Sequence, residues 1–298
     1  MKILLTGSSG FIGSKLRVFL LLAGHRVVRL VRDKEDLASD AIFWDPVHGE
    51  INRDDFEGFD AVVHLAGANV ASGRWTKKRK HSIFLSRCRD TWLLSQILCR
   101  LYSPPKVMIS ASATGIYGDR GEDVLTEESG PGSGFIPDLC QKWERATDCI
   151  ESRGTRVVHT RFGAVLGAKG GMLKKMVPLF KWGLGGKLGS GKQKISWIGI
   201  DDLIGGIDHC IKDERISGPV NFVGPEAISQ AEFARLLAKH LGRPAFWWIP
   251  AWVLKCLFGE MAEVLFLSSQ NVIPKKLLAS GYRFSSPDLN TLFTKESV

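Results

Sequence analysis

The chain lacks any apolar run near the roughly 18 residues that a membrane span requires. Its early candidate, Val18 to Ala23, stops at Gly24-His25. No export signal is read at the start, because Met1-Lys2 leads at once into Ile3-Leu4-Leu5-Thr6-Gly7, a strand and a glycine turn. Cysteine is sparse and scattered: Cys88, Cys99, Cys140, Cys149, Cys210 and Cys256 include no C-x-x-C pair and no Cys/His cluster at zinc spacing. This excludes a disulfide scaffold and a zinc ribbon, and predicts reduced thiols, a cytoplasmic location and no metal site. Tyrosine occurs three times, at 102, 117 and 282, so phenol chemistry has few places to occur. Internal repeats and low-complexity tracts are absent. Acids are outnumbered, 31 against 40 Lys and Arg, for a formal charge of +9. A basic chain can hold nucleic acid, a membrane surface or an anionic small molecule. The sharpest basic run, Arg74 to His81, reads as the solvated start of a helix reaching Leu101. Ile83, Trp92, Leu94, Ile97, Leu98 and Leu101 are expected to bury one side of that helix. The expected partner is therefore a small molecule, with no nucleic acid and no membrane. The remainder, 44% hydrophobic and 24% charged in 298 residues, predicts a globular chain with one large domain and room for a smaller one.

The first half alternates strand-like and helix-like stretches. Lys2–Thr6, Arg26–Arg32, Ala41–Trp44, Ala61–Leu65, Lys106–Ser110 and Arg156–Arg161 read as strands. Helices are expected over 10–23, 76–101 and 136–152, the first closed by Gly24. Such alternation predicts βαβ units and an α/β, doubly wound parallel sheet, with ligands at the carboxyl ends of the strands. Residues 163–191 are rich in glycine and read as loop. Ile195–Ile200, a helix over 201–212, the strand Val220–Val223 and a helix over 229–241 follow. The expected division is a dinucleotide-binding half, 1–165, and a mainly substrate-binding half, 166–298, with 195–223 crossing back onto the sheet.

The motif Thr6-Gly7-Ser8-Ser9-Gly10-Phe11-Ile12-Gly13 closes the first strand and opens the first helix. That context suits a pyrophosphate: Gly7 for the tight turn, Gly10 for close approach, Gly13 for packing of helix on strand. Free N–H groups at the helix start would hold the phosphates. At the end of the second strand an acid would take a ribose 2′-hydroxyl and a cation a 2′-phosphate. Arg32 falls there with Lys34 close by, and Asp33 competes; the cations favour NADP. His64, inside the apolar strand before Leu65-Ala66-Gly67, reads as a hydrogen-bonded core histidine.

These residues together resemble the extended short-chain dehydrogenase/reductase superfamily, in its nucleotide-sugar epimerase and dehydratase branch. TGSSGFIG at 6–13, HLAG at 64–67, SASATGIYGD at 110–119 and ISWIGIDDL at 195–203 carry the likeness over nearly the whole chain. RW at 74–75, SR at 86–87, KWE at 142–144, GLGGKLGSGKQKISWI at 183–198 and VIPKKLLASGYRF at 272–284 are similar to the YfcH-like group of atypical epimerase family proteins. The resemblance implies a Rossmann domain with bound NADP, and a smaller carboxy-terminal substrate domain. Position by position it implies that Gly7, Gly10, Phe11 and Ile12 form the pyrophosphate loop and Arg32 meets the 2′-phosphate. Leu65, Ala66 and Gly67 would lie over the cofactor ribose, Arg87 would make a polar cofactor contact, and Val165 would follow the strand closing over the nicotinamide.

The superfamily's chemistry uses a Ser or Thr, a Tyr, and a Lys four residues later that lowers the phenol's pKa. Ser112 has the motif position of the hydroxyl. The Tyr and Lys positions hold Ile136 and Cys140. Lys142 is turned about 200° away along a helix, and Pro104-Pro105 keeps Lys106 from Tyr102. Tyr117 is left as the candidate acid, with a packing role as the alternative. The expected activity is that of an NADP-dependent oxidoreductase or nucleotide-sugar epimerase on a small polar substrate, as a monomer or a homodimer. Gly183–Gln193 would line the pocket, with Arg74, Gln193 and Trp197 as substrate contacts. The alternative is an NADP-binding redox sensor with weak or no catalysis.

Overall fold

The computed structural model describes residues 1–46 and 52–296; the end of the second half, 297–298, lies outside them. In chain order the first half runs β1 (Lys2–Thr6), α1 (Phe11–Leu22), β2 (Arg26–Val31), β3 (Ala41–Phe43), β4 (Ala61–His64), α2 (Lys77–Phe84), α3 (Asp90–Cys99), β5 (Val107–Ala113), β6 (Val124–Leu125), α4 (Phe135–Arg145), α5 (Asp148–Ser152), β7 (Arg156–Phe162) and β8 (Ala164–Gly167). The second half runs α6 (Gly171–Lys181), β9 (Gly186–Leu188), β10 (Lys194–Ile195), β11 (Trp197–Gly199), α7 (Ile200–Lys212), β12 (Gly218–Phe222), β13 (Ile228–Ser229) and α8 (Gln230–His240). It ends with β14 (Trp247–Ile249), α9 (Ala251–Phe258), α10 (Glu260–Ala262), β15 (Asn271–Val272), α11 (Lys275–Ala279) and α12 (Leu289–Glu296).

Seven strands form one parallel sheet in the order β12-β7-β5-β4-β1-β2-β3. Ile3, Leu5, Ala61, Val63, Val107 and Ile109 face α1 and α7, while Leu4, Val62, Met108 and Val157 face α3 and α5. Covering on both faces is why these strands read as unbroken apolar runs rather than alternating ones. The order reverses between β1 and β4, where a crevice opens at the carboxyl ends. β12 returns from the second half to pair with β7, with Val220 opposite Thr160.

The structure departs from the sequence reading at four places. The helix over 76–101 carries a π-turn at Leu85–Arg89 between α2 and α3. Trp92 is half exposed, because it lies two residues, or about 200°, from the buried Leu94. The glycine-rich stretch 163–191 is not all loop. Leu173, Met176, Val177 and Phe180 recur at helical spacing in α6 and pack against α8 residues Phe233 and Leu237. Some of its glycines are required by neighbours: a Cβ on Gly170 would lie 2.1 Å from the Phe11 ring and one on Gly167 2.6 Å from it. Finally, Cys99 and Cys149 are joined as a disulfide between α3 and α5, with Cα atoms 6.0 Å apart, so these two are not the free thiols expected. Cys88, Cys140, Cys210 and Cys256 are free.

Candidate functional site at the carboxyl edge of the sheet

The chain leaves β1 through Gly7, at φ +69, where a Cβ would lie 2.8 Å from the Leu65 carbonyl carbon. Only glycine satisfies both the left-handed turn and that approach. A Cβ on Gly13 would meet the Gly7 oxygen at 2.2 Å, which fixes α1 against the loop. Gly10 is the N-cap of α1 and offers no side chain to it, so the first N–H groups of the helix, at Phe11 and Ile12, have no side-chain cap. The Phe11 side chain is spent on the Gly167–Gly171 turn, which leaves its backbone for a ligand.

Arg32 is exposed just beyond β2, on the same edge, and makes no ion pair among the described residues. Asp33 is turned inward on its own segment, accepting the Glu35 N–H at 3.0 Å as the cap of residues 34–36. The competing acid is therefore engaged and the cation is not.

On the β4 side, Thr6 Oγ1 accepts the N–H groups of Leu65 and Ala66, each at 3.1 Å. Its own proton must then go to His64 Nδ1 at 2.8 Å, which leaves Nε2–H to donate to Thr91 Oγ1 at 2.8 Å. His64 is a core histidine that shapes the 65–67 segment, and burial pulls its pKa down to about 4. Against an unfolded value near 6.5, the unfolded chain binds more protons between these values, so His64 removes stability as pH falls through that window. We expect a loss of roughly 3 kcal/mol between pH 7 and 4 from this group. NMR titration of its imidazole should give a midpoint near 4; a midpoint near 6.5 contradicts the buried network.

Arg87 projects from the π-turn. It donates to the Ala68 carbonyl at 2.8 Å, lies over the Trp143 ring at 5.0 Å, and would be 3.4 Å from a Cβ on Gly67. Burial lowers its pKa, and no carboxylate pairs with it among the described residues. Cys140 and Cys88 are its titratable neighbours, and burial keeps both thiols neutral, so Arg87 stands near the position from which the superfamily's lysine is missing with no anion beside it among the described residues. A half-buried cation with no acid beside it can gain from an anionic ligand. Val165 lies on the same edge, in β8 beside Ile198 of β11.

The two catalytic candidates are placed differently from expectation. Ser112 is 2% exposed and donates to Glu144 Oε1 at 2.7 Å. Arg161, opposite Ser112 on β7, grips Glu144 through Nε at 2.9 Å and Nη2 at 2.8 Å. Tyr117 is fully buried, donates to Asn221 Oδ1 at 2.7 Å and accepts from Arg161 Nη1 at 2.9 Å. Burial raises its pKa, and its proton faces the sheet edge at β12 rather than a cleft. This is the arrangement that a packing role requires. Burial pushes Glu144 up, but the Arg161 hydrogen bonds and charge outweigh it and leave the carboxyl lowered.

Sequence reasoning missed Glu144 and Arg161 as a unit, though an arginine inside an apolar strand was a usable signal, since a buried cation requires a carboxylate. It also missed Thr114, at the end of β5, which donates to Gln270 Oε1 at 2.8 Å. Two proposed substrate contacts are structural instead: Trp197 is core, and the Gln193 amide donates to the carbonyls of Leu188 at 3.0 Å and Phe266 at 2.9 Å. Arg74 is exposed, beside Gly259.

A doubly wound sheet with an uncapped, glycine-lined helix start at its switch point defines a dinucleotide-binding protein of the Rossmann class. The model of the NAD dependent epimerase/dehydratase family matches residues 3–222, and a domain of unknown function (DUF1731) matches 249–295. The chain belongs to the NAD dependent epimerase/dehydratase family, among its epimerase family proteins. It is 39% identical over 280 residues to epimerase family protein Mb2239 of Mycobacterium bovis, covering 94% of this chain and 92% of the relative. The crystal structure of human epimerase family protein SDR39U1 (isoform 2) with NADPH superposes with a TM-score of 0.89 at 34% identity, covering 100% of this chain and 99% of that one. A nucleoside-diphosphate sugar epimerase from Corynebacterium glutamicum gives 0.82 at 34% identity, covering 99% of this chain and 58% of that one. No helix among the described residues is long and apolar enough to cross a membrane.

Proposed function

We propose that the protein binds NADP(H) and acts as an oxidoreductase or epimerase on a small polar substrate, a nucleotide sugar being the leading class, without a Tyr–Lys pair. The observation that carries the reading is the exposed Arg32 at the glycine loop, without an ion pair among the described residues, beside an Asp33 that caps the next turn. The NADPH held by the human relative supports it. Gly7, Gly10, Gly13 and the N–H groups of Phe11 and Ile12 would hold the pyrophosphate, and Arg32 the 2′-phosphate. Leu65, Ala66, Gly67 and Val165 would flank the nicotinamide end, where Arg87 supplies the cation absent at Cys140. When bound, the nicotinamide gives or takes a hydride. At the end of β5 Ser112 donates to the ion-paired Glu144 and Thr114 to the neutral Gln270 amide oxygen; Thr114 takes the role of polarising the reacting oxygen, its proton turning from Gln270 to the substrate when one is bound.

Turnover should be measured as NADPH oxidation against carbonyl compounds and as epimerisation of nucleotide sugars. Thr114→Val is expected to lower the rate by about 10²–10³, while Tyr117→Phe leaves it nearly unchanged. A strong loss in Tyr117→Phe with stability intact returns that phenol to the chemistry. The second reading, a redox sensor, draws on the commitment of the Ser112 and Tyr117 protons to Glu144 and Asn221. Tight NADPH binding with no turnover on any member of the panel would favour it.

A further inference from the structure

The second half carries an apolar surface that the cofactor site does not use. Trp182 is 82% exposed, Trp248 61% and Trp252 68%, and they are joined by exposed Leu184, Phe246 and Trp247. The fold gathers them. β14 pairs in parallel with β9, with Trp247 opposite Gly186 and Trp248 opposite Lys187. This brings the 246–248 aromatics beside the turn that follows Trp182 at the end of α6. Trp252 opens α9 a few residues after β14. Phe246 and Trp247 stack at 5.8 Å between ring centroids, and Trp248 is held by its indole N–H to the Gly189 carbonyl at 2.8 Å. These side chains are thus ordered at the surface rather than buried in it.

The same segments are basic throughout. No Asp or Glu occurs between Glu151 and Asp201, or between Glu232 and Glu260. Exposed Lys174, Lys181, Lys187, Lys192 and Arg243 lie in these segments, and Lys187 sits over the Trp248 ring at 5.8 Å. The acids that follow are already engaged, Glu260 with Lys80 and Glu263 with Lys255.

We propose that this face docks on the surface of a bilayer containing anionic phospholipid. Tryptophan prefers the headgroup level, where its ring is half wet, and lysines add attraction to anionic lipid. The exposed Leu184 among the aromatics suits acyl chains and has no use in stacking on bases. A second copy of the chain fits poorly, since a twofold interface would bring this acid-free surface against itself. The proposal departs from the expectation of no membrane partner and rests on the meeting of two segments distant in sequence.

Sedimentation of the full chain with phosphatidylcholine vesicles, with and without phosphatidylserine, tests the proposal. Binding should require phosphatidylserine and weaken with salt. Lys181→Glu with Lys187→Glu should weaken it at least about tenfold, and Trp182→Ser with Trp248→Ser should abolish it. NADPH binding, followed by fluorescence, should be unchanged in both variants, which confirms folding and separates this surface from the cofactor site. Absence of vesicle binding overturns the proposal. So does a dimer in light scattering that the tryptophan variant makes monomeric, or retention on single-stranded DNA that the vesicles do not compete for.

Discussion

Arg161→Met should destabilise the protein by about 3–5 kcal/mol, because it leaves the Glu144 carboxylate buried beside Ser112 with its two-point partner gone. Urea denaturation at pH 7 measures the loss. Its pH dependence gives a sharper check. In the intact protein Glu144 has a lowered pKa, so its contribution is complete above the unfolded value and fades as pH falls through the folded one. In the variant burial, the largest influence, is opposed only by the Ser112 hydrogen bond and His159, and is expected to raise the pKa above the unfolded value. The folded chain then holds the extra proton, and the deficit should shrink as pH is lowered from 7. Replacing both partners, Arg161→Met with Glu144→Leu, should recover much of the stability, since an apolar pair carries no stranded charge. A single variant within about 1 kcal/mol of the parent would mean that the ion pair is not closed in solution.

Arg32→Ala should erase most of the preference for NADP(H) over NAD(H), lowering NADPH affinity about ten- to a hundredfold while NADH affinity hardly changes. A charge-assisted contact to phosphate contributes roughly 1.5–3 kcal/mol. Arg32 has no ion pair among the described residues, and Asp33 is turned to the Glu35 N–H. Calorimetry with both cofactors decides. Equal losses for NADPH and NADH would place Arg32 on a phosphate common to both. No loss would move the selector elsewhere on the carboxyl edge.

Much of the molecule was legible from local pattern. Unbroken apolar strands alternating with amphipathic helices define the sheet, and three glycines at the end of the first strand define its loop. These signals are local, because strand periodicity and left-handed turns depend on a few neighbouring residues. The π-turn that presents Arg87, and α6 within a glycine-rich tract, were hidden. One reads as an ordinary helix, and the other's periodic apolar residues are outnumbered by glycines that serve distant neighbours such as Phe11.

What the sequence determined by itself was the fold class and the glycine turn between β1 and α1, together with Arg32 as the candidate selector of the 2′-phosphate. What the tertiary structure alone decided was the fate of each hydroxyl and charge at the edge of β5. Ser112 finds Glu144 32 residues away, and Tyr117 finds Asn221 104 residues away. A hydroxyl exposed in a motif and a hydroxyl consumed by a buried ion pair are spelled identically. The difference lies in which side chain, from which strand or helix, is packed within about 3 Å, and only the closed sheet sets that distance.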